Sequence, residues 1–80
     1  MLRVSIQTLL LALHATAKER KAVSVRLHNG DFEEDELEEL NDMIDRLTVA
    51  IGELTEFYEP QREGREGTYP TSDQIQALYE

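Results

Sequence analysis

The sequence predicts an all-α protein: an antiparallel helical hairpin, expected to pair as a homodimer into a four-helix bundle, followed by a short C-terminal helix. Two observations carry the helices and a third joins them. Leu37, Leu40, Ile44, Leu47, Ile51, Leu54 and Tyr58 recur at alternating intervals of 3 and 4 residues, an unbroken heptad stripe. Leu2, Ile6, Leu9, Leu13, Thr16, Arg20, Val23 and Leu27 repeat the rhythm with two polar positions. Antiparallel partners across a short loop should have residue numbers summing to a constant, and here the pairs from Leu27 with Leu37 to Ile6 with Tyr58 all sum to 63 or 64. The implied midpoint lies near residue 32.

The first helix is expected over about residues 2–28, with Asn29 and Gly30 supplying residues that tolerate a left-handed ending. The alternation Val23-Ser-Val-Arg-Leu27 also suits a strand, but the Glu-rich segment that follows offers no second arm to pair with it. A loop over 29–31 leads to the second helix, expected over about 32–59, with Asp31 as N-cap, Glu34 at capping-box spacing and Pro60 as the stop. Such a helix would be about 42 Å long. Residues 1–60 therefore form the hairpin. Residues 61–70 hold two glycines and Pro70 with few apolar groups and read as a linker. In 71–80, Thr71 and Gln74 again have capping-box spacing, and Ile75, Leu78 and Tyr79 mark one face of a short amphipathic helix. Too short to be stable alone, it is expected to dock through those three residues on the hairpin, on a second subunit or on a partner, or else to remain partly disordered.

Charge divides along the same line. The chain of 80 residues carries a formal charge of −9, made of +4 in residues 1–28 and −13 in residues 29–80. Antiparallel packing lays Lys18, Arg20, Lys21 and Arg26 near the acidic stretch Glu33 to Asp45, so pairing between the arms is expected. The acidic balance argues against direct nucleic-acid or anionic-membrane binding, which needs clustered Lys and Arg. The absence of cysteine removes disulfides and thiolate metal sites. Arg3 and the apolar residues up to Ala17 imitate a secretory signal, but Ser5, Gln7, Thr8 and His14 interrupt them, and the unbroken core Leu9 to Leu13 is too short. No run approaches the length of a membrane span, so a cytoplasmic location is the expectation.

Both arms hold more apolar residues than one seam can use. Met43, Ala50 and Phe57 form a second line at 7-residue spacing, which broadens the apolar face of the second helix. Leu10, Met43, Ala50, Phe57 and Tyr58 are the candidate residues of a dimer or partner interface, because a second copy would cover them and small cores need such help. In architecture alone the expected dimer resembles the Rop family of antiparallel hairpins that bind paired RNA loops. No motif carries that likeness, and the acidic second arm offers no RNA-binding face.

Glu33, Glu34, Glu36, Glu38 and Glu39 form the candidate acidic surface for a basic partner. Carboxylate-rich helices hold Mg²⁺ in nucleotide pyrophosphohydrolases of the MazG type, which set acidic pairs on two facing helices. Here the pairs lie in one helix, so neither a metal nor another cofactor is expected. His14 and His28 are too far apart along one helix, about 21 Å, to share an ion. With no recognisable nucleophile or acid–base set, the expectation is a non-enzymatic regulator or inhibitor working through protein contacts. A structural assembly or adaptor module is one alternative. Another is a phage-type inhibitor that mimics nucleic-acid charge against a defence or restriction protein. Arg20, alone with Thr16 on the first stripe, either snorkels along the seam or forms a polar layer that sets register.

Overall fold

The computed structural model describes residues 4–80, so Leu2 and Arg3, the start of the expected first helix, lie outside the described residues. Three helices follow in order: α1 over Ile6–Asn29, α2 over Glu34–Arg62 and α3 over Ser72–Ala77. No strand occurs among the described residues, and Val23 to Leu27 belong to α1.

α1 begins where Ser5, extended at φ −71° and ψ 156°, accepts the Thr8 N–H on its side chain at 3.2 Å. Ser5, which in the sequence only interrupts an apolar run, is the residue that sets the start. At the other end Arg26 and His28 lie in the last turn, where positive charge suits the helix dipole. Gly30 does not end α1 in a left-handed conformation, contrary to expectation; it is extended at φ −114° and ψ 153°. Glycine there leaves room for the Phe32 ring, whose outer edge would have to shift to admit a Cβ.

α2 starts two residues later than expected, with Glu33 and not Asp31 at the N-cap, and no side chain caps it. The Glu33 carbonyl accepts the Leu37 N–H, and Glu34, Asp35 and Glu36 in the first turn supply the negative charge that the helix N-terminus favours. Pro60 does not stop the helix. It sits inside the last turn, and α2 runs on to Arg62, whose side chain bonds the Glu59 carboxylate within the helix at 2.7 Å and the Tyr69 carbonyl beyond it at 3.1 Å.

The hairpin register agrees with the sequence arithmetic. Gln61 donates to the Val4 carbonyl across the open end, Leu9 and Leu54 line one groove together, and Arg20 and Ile44 line another. Ile6, Leu9, Leu13, Ala17 and Val23 are buried on α1, and Leu40, Ile51 and Tyr58 on α2. Ala17 takes the fully packed place that the stripe assigned to Thr16, whose hydroxyl instead bonds its own helix at the Ala12 carbonyl. Thr16 and Arg20 therefore make no joint polar layer. The expected ion pairs between the arms are also missing among the described residues. The two salt bridges found, Asp42 with Arg46 and Glu59 with Arg62, both lie within α2, so the basic residues of α1 are not neutralised by the acidic arm.

Candidate interaction surface

One side of the hairpin is closed by the chain's own tail. Ile75 of α3 is fully buried and joins Ile6, Leu9, Leu13, Ala17, Ile51 and Tyr58 in a single core. Thr71 completes the capping box expected of it, accepting the Gln74 N–H while the Gln74 side chain accepts the Thr71 N–H. Polar bonds then pin the segment from both helices. Tyr58 donates to the Pro70 carbonyl at 2.7 Å, Thr55 and Ser72 share a hydroxyl bond at 2.6 Å, and the Ser72 N–H donates to Glu59 at 2.7 Å. From α1, Arg20 donates to Gln76 at 3.1 Å and His14 bonds the Tyr79 hydroxyl at 2.7 Å, their rings edge to face. Every buried side-chain nitrogen and oxygen among the described residues has a partner.

The linker is correspondingly ordered. Arg65 and Thr68 N–H groups close successive turns on Arg62 and Arg65, and Gly64 takes φ 83°, the one positive φ among the described residues. Two site expectations change here. Leu78, assigned to the docking face, is 68% exposed; the short helix ends at Ala77 and turns it outward, leaving Ile75 and Tyr79 to dock. Tyr58, assigned to an interface, is fully buried in the chain's own core, its ring under the tail and its hydroxyl committed to Pro70. Burial pushes the Tyr58 phenol up from its ordinary value, and the nearby Arg62 offsets part of that. Leu10 likewise packs half-buried against the core.

The other side of the hairpin is open. His14 and Thr55 face α3, and residues two positions away point about 200° around their helices, to the far side. There Ala12 and Phe57, with Val4, Thr8, Leu9, Leu54 and Gln61, line a mostly apolar groove of about 650 Å³ to which no α3 residue contributes. Phe57 is 67% exposed at its edge. Met43, also exposed, lines a second groove nearer the loop with Arg26, Phe32, Glu36, Glu39 and Asp42. Of the five interface candidates, Met43, Ala50 and Phe57 thus remain away from the buried core. Ala12 belongs to the surplus apolar residues of the first arm, and Val4 and Thr8 join it at 4-residue spacing on α1.

Glu33, Glu34, Glu36, Glu38 and Glu39 are all exposed at the loop end, and none is ion-paired among the described residues. No group of three or more His, Asp or Glu among the described residues is placed to hold a metal. No helix among them is long and apolar enough to cross a membrane. Neither a protein-family model nor a curated protein nor a solved structure matches the chain.

Proposed function

We propose that this is a small acidic regulator or inhibitor, not an enzyme, that acts in the cytoplasm by protein–protein contact. The observation that carries the reading is the apolar groove between α1 and α2, with Phe57 exposed at its rim, on the side of the hairpin that the tail leaves uncovered. An exposed aromatic beside an apolar depression is the usual anchor of an interface. The tail occupies its own side through internal bonds, so the open side is the one free to receive a partner. A purely structural assembly module would use the same groove for copies of itself alone.

The unpaired glutamates favour a second reading in which the loop end attracts a basic protein surface, as a nucleic-acid mimic does. Capture from source cells with tagged wild-type, Phe57→Asp, and Glu36→Lys/Glu39→Lys chains tests both. A partner lost with Phe57→Asp supports the groove; one lost with the glutamate variant and released by moderate salt supports charge mimicry. Capture unchanged in both variants would discard the two readings together.

A further inference from the structure

The open groove needs an occupant, and three features of the chain select one. The first is the size of the core. Nine apolar residues are buried among those described, in a chain with no cysteine to staple it, whereas Phe57, Leu11, Val4 and Met43 remain 39–69% exposed. The second is charge. On the open side Arg26 of α1 lines the second groove with Glu36, Glu39 and Met43, and Arg26, Glu36 and Glu39 are without ion pairs among the described residues, so each copy carries both halves of a complementary set on that face. The third is shape. Thr8, Ala15 and Ala22 form an exposed line of small side chains along α1, at 7-residue spacing. Phe57, Ala50 and Met43 have the same spacing on α2, and Thr8 and Phe57, whose numbers sum to 65, line the open groove together. At that end of the groove a small side chain stands level with a large one.

We propose that the occupant is a second copy of the chain, related by a twofold axis that runs along the helices, so that α1 of each copy lies antiparallel on α2 of the other and both loops emerge at one end. The proposal rests on reading this face as an interaction surface and adds which molecule fills it and in what orientation. In that arrangement Phe57 of one copy meets the depression beside Thr8 of the other, and Arg26 on α1 of one copy meets Glu36 and Glu39 on α2 of the other. A twofold across the helices would set acidic α2 against itself or carry the basic residues to the wrong end. Exposed pairs contribute little stability singly, but like charges face to face decide orientation.

The cysteine-free chain allows a single nitroxide label at exposed Asp31→Cys in the loop. The expected result is a mass of twice 9.2 kDa by sedimentation, with an interlabel distance well under half of the 48 Å long axis. A dimer whose labels stand a full helix length apart overturns the orientation. A monomeric mass overturns the second copy as occupant, while capture of a heterologous partner on the Phe57 face separately judges the interaction-module reading. Phe57→Asp should become monomeric with helicity retained, and Val49→Asp, at an exposed position outside the groove, should stay dimeric. If Phe57→Asp loses helicity, Ala15→Glu serves the same purpose, and a dimer undisturbed by it contradicts the proposal.

Discussion

Glu59 joins three parts of the chain: one carboxylate oxygen accepts the Ser72 N–H and the other bonds Arg62, which in turn holds the Tyr69 carbonyl. The Ser72 bond holds its carboxyl below the ordinary 4.5; burial pushes the other way, and Arg62 adds to the lowering. A depressed folded value means stability that is present above the unfolded value and lost as pH falls through the folded one. The melting temperature should therefore drop as the solution is acidified below about pH 4.5, and Glu59→Gln should flatten part of that limb. Tyr58 acts at the other extreme. Its raised phenol must stay protonated to donate to Pro70, so its contribution is present below pH 10 and lost as pH rises through the higher folded value. Gly64 is constrained by backbone alone: at φ 83° with open space around it, Gly64→Ala should cost about 1 kcal/mol, read by denaturant unfolding.

At the scale of elements, α3 has six residues, far below the length at which a helix is stable in water. It exists because Ile75 enters the core. Ile75→Ala should lower stability by roughly 2–5 kcal/mol and release the tail, which rapid amide exchange over residues 72–79 would report. The two long helices were legible in the sequence because a 3.6-residue period repeated over many turns reveals both the buried face and the register. Their ends were less so. Ser5 caps α1 from inside an apolar run, and α2 runs on past Pro60 to Arg62, which bonds Glu59 and Tyr69. The tail's capping box could be read, because Thr71 and Gln74 are local to each other. Its docking face could not, since one turn and a half of helix has no period, and the bonds that orient it join residues as distant as His14 with Tyr79 and Arg20 with Gln76. That is why Ile75 and Tyr79 dock while Leu78 points outward. The Met43, Ala50 and Phe57 line was legible as surplus hydrophobicity. Leu10 and Tyr58 belong to the chain's own core and not to that surplus, because the tail's Ile75 packs into the same cluster.

The whole molecule is elongated and flat, 48 × 28 × 13 Å, with α3 sealing one side of the hairpin and an apolar groove along the other. The charge of −9 is distributed in the same polarised way. Basic α1 and acidic α2 lie side by side without neutralising each other, so both signs remain available at the surface. The proposed second copy would use both features at once, extending the small core and matching the unpaired charge. Under that proposal folding and association are one equilibrium, and dilution should weaken the fold. Thermal unfolding followed over about a hundredfold range of protein concentration tests this most directly. The account predicts a melting temperature that climbs with concentration for the wild-type chain and stays level for Phe57→Asp; a wild-type melting temperature independent of concentration would contradict it.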